Sequence, residues 1–166
     1  MYITTDNKRI SSQVVVEKYF ALIIDFGEQN DSVKHYQIYK GDTNFIEFEA
    51  DFETGECRRM KLELCEHYSV RDAALTVPDA KNGSLVFNGG DVLTRGTSEF
   101  HADEFDMTLF TDGLHISLSS KPSASLVKSG NVVFGLIGED LNEIFVSALS
   151  NNELSHLKRE LAENEI

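Results

Sequence analysis

The stretch FHADEFD brings His101, Asp103, Glu104 and Asp106 close together in sequence. An imidazole beside carboxylates is the raw material of general acid and base catalysis, and the same groups ligate metal ions. With His156 far downstream, His101 and Asp103 would form the two-histidine, one-carboxylate set that holds non-haem iron. The spacing is not specific: five histidines in 166 residues make such triplets common by chance, and His156 falls on a predicted helix. Asp103, Glu104 and Asp106 could hold one divalent cation, yet their spacing is not that of a calcium loop. No nucleophile elbow, phosphate loop or dinucleotide fingerprint occurs, and Gly89-Gly90 in FNGGD reads as a turn. Paired carboxylates are plentiful, but any acidic strand supplies them without glycosidase chemistry. Cys57 and Cys65 match no Cys-x-x-Cys redox or zinc spacing. The sequence therefore assigns no catalytic residue, no metal ligands and no cofactor.

What it supplies in quantity is negative charge. The formal net charge is −13, while a hydrophobic fraction of 41% with eleven Phe is too apolar for a disordered acidic chain. Such a charge repels nucleic acid and anionic membranes and accelerates encounter with cationic partners. Arg58, Arg59 and Lys61 form the one tight cationic group, without the interleaved aromatics of a nucleic-acid surface. The opening residues lack a basic region leading into an uninterrupted apolar run, and the apolar run from Ala21 to Ile24 stops at Asp25, far short of the ~20 residues that span a bilayer. The expectation is a cytoplasmic protein without membrane insertion or direct nucleic-acid binding.

These groups have to be carried by strands. Val, Ile, Phe and Tyr in alternation or in short runs predict strands near 13–26, 33–40, 45–52, 56–65, 84–88, 104–111, 114–120 and 131–137. No repeat or linker interrupts them, so a single domain over 1–166 is expected, with strands between about 13 and 149. The fold class is mainly β or α+β: antiparallel sheets built from hairpins, sandwich-like or half-barrel. Ser150 and Glu153 form a capping box, and Leu154, Leu157 and Leu161 recur on one face, predicting an amphipathic helix over about 151–164 that docks on the sheet. Before it, EDLNEIFVSALS fits either period; its composition favours strand.

Residues directly opposite on antiparallel strands share a face, so loop length can be tested by parity. In NFIEFEADFETGECRRMKLELCE a two-residue loop at Thr54-Gly55 would set Ile46 and Phe48 against Lys61 and Arg59. A three-residue loop, Glu53-Thr54-Gly55, with Gly55 left-handed, instead opposes Phe48 with Met60 and Ile46 with Leu62. It also opposes Glu47 with Lys61 and Glu49 with Arg59, so part of the acidic ribbon is neutralised internally. In this register Cys57 and Cys65 point outward, about 26 Å apart at ~3.3 Å per residue, too far for a disulfide. Reduced, reactive thiols follow.

In FDMTLFTDGLHISLSS a two-residue turn at Asp112-Gly113 opposes Leu109 with Ile116 and Met107 with Leu118, and sets Phe110 opposite His115 on the outer face. No cation occurs between Arg95 and Lys121, although Glu99, Asp103, Glu104, Asp106 and Asp112 lie there. Composition and charge together lead to an acidic binder of a basic protein, of the kind that inhibitors of cationic nucleases and bacterial immunity proteins represent. Carboxylates would steer association and occlude a cationic site, and aromatics would slow release. The candidate partner-binding residues are Asp103, Glu104, Asp106, Phe110 and His115, with Glu47, Glu49 and Asp51 on the first hairpin. The alternative is a small-ligand or carbohydrate-binding β-domain, possibly a hydrolase, using His101 to Asp106 in a pocket.

Overall fold

The computed structural model describes residues 3–88 and 97–163; the turn expected at Gly89-Gly90 lies outside them. The chain runs β1 (Ile3–Asp6), β2 (Ser12–Val15), β3 (Leu22–Phe26), β4 (Val33–Lys40), β5 (Asn44–Asp51), β6 (Cys57–Cys65), β7 (Tyr68–Val70), β8 (Lys81–Asn82) and β9 (Ser84–Phe87). It continues through β10 (Thr97–His101), β11 (Asp106–Leu109), β12 (Leu114–Ser117), β13 (Ser125–Ser129), β14 (Val132–Ile137) and β15 (Asp140–Val146) to α1 (Asn151–Glu163). One sheet has the order β10-β4-β5-β6-β3-β2, the other β7-β11-β12-β15-β14-β13-β8, and β1 pairs with β9 as a separate ribbon. Neighbours are antiparallel except β10 on β4, β7 on β11 and β8 on β13, each at a sheet edge.

The two sheets share one apolar core. Phe134 meets Phe26 and Phe48 across it, with ring centroids 5.9 and 6.3 Å apart, and Phe87 of the ribbon lies 4.5 Å from Tyr36 and 5.4 Å from Phe48. Leu154, Leu157 and Leu161 of α1 join the same cluster. The capping box closes the helix start, with Ser150 N–H donating to Glu153 Oε2 at 2.7 Å and Glu153 N–H to Ser150 Oγ at 3.2 Å. The C-terminal segment touches both sheets: Leu149 N–H donates to Asp112 O at 3.0 Å, and His156 Nε2 bonds Phe20 O at 3.0 Å. The ambiguous stretch before the helix is a strand, β15.

Three expectations need correction. Residues 13–26 are not one strand but the antiparallel pair β2 and β3, because the chain turns where Tyr19 adopts φ 78°. Glu160 Oε2 holds that turn by accepting the Tyr19 N–H at 3.0 Å. In the β5–β6 hairpin the central register is as expected, Phe48 on Met60, Ile46 on Leu62, Glu47 on Lys61 and Glu49 on Arg59. Both cysteines are nevertheless buried. The pairing passes from Glu49–Arg59 to Ala50–Cys57, and from Ile46–Leu62 to Phe45–Leu64. Arg58 and Glu63 are thus extra residues in two bulges, each of which reverses the facing of everything beyond it.

The β11–β12 hairpin is offset by two residues from expectation, pairing Leu109 with Leu114 and Met107 with Ile116. Its loop is Phe110–Gly113, closed by Phe110 N–H on Gly113 O at 2.8 Å. Asp112 is drawn out of a tight turn: its Oδ1 accepts Leu75 N–H at 2.7 Å while its carbonyl serves Leu149. A slip of two keeps the same side chains inward, so Met107, Leu109, Ile116 and Leu118 are buried as expected. It also means that His115 stands opposite Thr108, not Phe110.

Candidate functional site

On the outer face of the six-stranded sheet, β4, β5 and β6 bring His35, Gln37, Glu47, Glu49, Lys61 and Glu63 together. Lys61 Nζ lies 3.1 Å from Glu47 Oε1 and also pairs with Glu49; Gln37 Nε2 donates to Glu47 Oε2 at 2.9 Å; His35 Nδ1 is 3.2 Å from Glu47 Oε1. Burial pushes the Glu47 carboxyl up, but the bonds from Gln37 and Lys61 and the charges of Lys61 and His35 outweigh it and hold it below the usual range. Among the described residues no such donor reaches Glu63, and burial, with Glu47 nearby, raises it. Ligand atoms of His35, Glu47 and Glu49 all lie within 4.8 Å of one another, a spacing a metal ion could bridge. The Lys61 ammonium already supplies a positive charge to both carboxylates. Arg59 does not serve Glu49; its guanidinium forks onto Asp25 of β3, at 2.5 and 3.0 Å, because Asp25 stands opposite it on the other side. Glu47 and Glu49 are therefore internally paired, and Glu47 is only 8% exposed.

Asp51 is committed to its own turn. Its Oδ1 accepts Thr54 N–H at 2.8 Å, Glu53 N–H at 3.1 Å and Thr54 Oγ1 at 2.9 Å, and Asn30 bonds the other oxygen. Those bonds, with Thr54 N–H foremost, hold its carboxyl below the ordinary value. His115 lies half-buried on the outer face of the seven-stranded sheet, stacked on Phe145 with centroids 4.3 Å apart, and 3.2 Å from Glu143 Oε1. Burial lowers its pKa against the pull of Glu143. Phe110 sits half-buried in the neighbouring loop. The structure does not join these residues to Asp103.

Asp103 and Glu104 occupy the crossing from β10 in one sheet to β11 in the other, and Asp106 is the first residue of β11. Ala102 N–H donates to Tyr39 O at 2.9 Å, and Glu104 N–H donates to Leu118 O at 3.0 Å, so residues two apart are fastened to opposite sheets. Phe105 then anchors in the core. The Asp103 carbonyl accepts the Lys40 ammonium. Among the described residues no ion pair reaches the carboxylates of Asp103, Glu104 or Asp106, and Asp103 and Asp106 are exposed. The crossing lines a cleft of about 340 Å³, together with Ile38, Phe100 and His101 from the six-stranded sheet side of the chain and Leu118, Lys121, Asp140 and Leu141 from segments of or beside the seven-stranded sheet. Tyr39 Oη and His101 Nε2 share a 2.9 Å hydrogen bond, their rings 4.1 Å apart. Asn142, buried behind Lys121, accepts Ser119 Oγ at 2.5 Å and donates to Lys121 O and Ser123 Oγ at 2.9 Å each.

Sequence reasoning did not find Tyr39, Lys40, Lys121 or Asn142. They come from strands and loops distant in the chain, and no local spacing links them to His101. The link is the parallel pairing of β10 with β4, which sets His101 beside Tyr39. Among the described residues no helix is long and apolar enough to cross a membrane. No protein-family model matches this sequence, and no curated protein sequence is significantly similar to it.

Proposed function

We propose that this chain is a cytoplasmic, acidic binding protein that inhibits a basic partner by occlusion, as an immunity-type protein does to a cationic nuclease toxin. The observation that carries the reading is the crossing itself: exposed carboxylates of Asp103 and Asp106, with Glu104 between them, on a backbone fastened to both sheets, with no ion pair to these carboxylates among the described residues. In the six-stranded sheet, by contrast, Lys61 answers Glu47 and Glu49, and Arg59 answers Asp25. Carboxylates left unpaired on a rigid support project the field that steers a cationic partner and lose little conformational entropy on contact. They substitute for substrate phosphates at the partner's cationic site. The test recovers the partner from the native cell with the immobilised chain, then measures association rates across ionic strength. Asp103→Lys with Asp106→Lys, still folded, is expected to slow association and flatten its salt dependence; parental rates for this variant would end the reading.

The cleft favours a second reading, a small-ligand or carbohydrate site, because His101, Asp103 and Lys121 all line it. Saturable thermal stabilisation by a neutral sugar or other small polar ligand, without a salt-sensitive basic partner, would put that reading first.

A further inference from the structure

The cleft beside the crossing has two chemically distinct parts. Its floor is aliphatic: Ile38, Leu118 and Leu141 line it and are 2%, 4% and 7% exposed. Its exposed lining includes charged residues: Asp103 on the crossing, Lys121 in the loop after β12 and Asp140 at the start of β15. A wholly apolar guest would strip water from the Asp103 carboxylate without replacing its hydrogen bonds. An anionic guest would meet the Asp103 carboxylate in a molecule of net charge −13. A guest with an aliphatic stem and a cationic head fits both parts together.

The walls are fixed before any guest arrives. Ala102 and Glu104 bracket Asp103 with backbone bonds to the two sheets, and Asn142 ties Ser119, Lys121 and Ser123 together. At about 340 Å³ the cleft is at the small end of ligand sites, room for one long side chain and water around its head. His101, its ring held against Tyr39, is among the lining residues of the cleft. Guanidinium stacks on such rings, forks onto a carboxylate and sheds water more readily than an ammonium.

Building on the occlusion reading, we infer that this cleft is the socket for an arginine side chain of the basic partner, its stem over Ile38, Leu118 and Leu141 and its guanidinium at Asp103. Lys121 opposes the guest's charge and keeps the socket from holding free cations tightly.

The experiment titrates the full chain with Nα-acetyl-arginine amide and follows backbone amide resonances. Saturable shifts are expected at Phe100–Glu104, at Leu118–Lys121 and at Leu141–Asn142. The neutral isostere Nα-acetyl-citrulline amide should leave them in place. With the spectrum otherwise parental, Asp103→Asn is expected to weaken binding by about tenfold, a step of the size one charged contact supplies, and Lys121→Ala to strengthen it. Absence of shifts in the cleft, an equal response to citrulline, or an unaffected Asp103→Asn variant would overturn the inference. The two proposals fail separately. If partner association still depends on Asp103 and Asp106 while the arginine probe leaves the cleft untouched, the socket falls and the cap stands. If the probe binds as described but association with the partner ignores both charges, the cap falls, and with it the assignment of the guest to that partner.

Discussion

Cys57 and Cys65 stand outside the two bulges of β6, and it is the bulges that turn them inward. Cys57 shares a face with Ala50, its thiol 3.7 Å from Arg59 O; the Cys65 thiol lies 3.3 Å from His67 O. Burial pushes both thiols far above their ordinary value of 9.0, Cys65 up to about 12. Since thiolate is the reacting species, neither should alkylate in the native protein, and both should once denaturant is added. Mass analysis after mild iodoacetamide treatment checks this; native labelling of either would place it at the surface. Because the folded pKa lies above the unfolded one, the native state holds the protons more tightly, and this contribution to stability is lost as pH rises from about 9 towards 12. Glu63 is also raised, and its carboxylate shares the outer face with Glu47 and Glu49. For it the same sign applies: stability is lost as pH climbs through the carboxylate range. Glu63→Gln should therefore stabilise the protein at pH 7 by a few tenths of a kcal/mol after solvent screening, the gain vanishing in acid where Glu63 is protonated. Urea midpoints at both pH values measure it.

The β5–β6 turn ends at Gly55, whose φ of 73° favours glycine, and the strand next door makes the requirement stricter. Phe87 N–H donates to Gly55 O at 2.8 Å, and a Cβ on Gly55 would stand 2.3 Å from Phe87 O, so any side chain pushes β9 away. Even Gly55→Ala should cost ~2 kcal/mol or more, the left-handed backbone and the steric clash acting together, as read by denaturation. An equal midpoint would remove the close approach of β9. Which parts of this architecture were legible follows from the same physics. The centre of the first hairpin was readable because Ile46, Phe48, Met60 and Leu62 all need the core, and only one register puts them there. The bulges were not, because Arg58 and Glu63 carry no local mark of being extra. Both hairpin loops came out longer than their turn residues implied, Asp112 being held instead by Leu75 and Leu149. The edge strands β7, β8 and β10 pair through backbone while half or more of each stays wet, so apolar alternation does not announce them. The acidic crossing was visible as a run of charge. The cleft was not, since four separate parts of the chain build it.

At the scale of the whole molecule, a net charge of −13 attracts any basic protein, and the occlusion reading requires more than that: the charge must act at one place. Lys40 at the end of β4 bonds the Asp103 carbonyl, whereas Glu28 and Asp31 precede the start of the same strand. Eight extended residues separate these ends, about 25 Å, or roughly three screening lengths at physiological salt. Glu28→Lys with Asp31→Lys therefore changes the total charge as much as Asp103→Lys with Asp106→Lys, but away from the crossing. If encounter follows only the net charge, the two double variants slow association equally at low salt. If the crossing is the contact, the Asp103 and Asp106 pair should slow it far more, and the difference should persist at physiological ionic strength, where the remote pair is screened. Stopped-flow rates for parent and both variants, each verified as folded by its urea midpoint, decide between them. Coincident salt curves for the two variants would leave the protein an acidic molecule without a designated face.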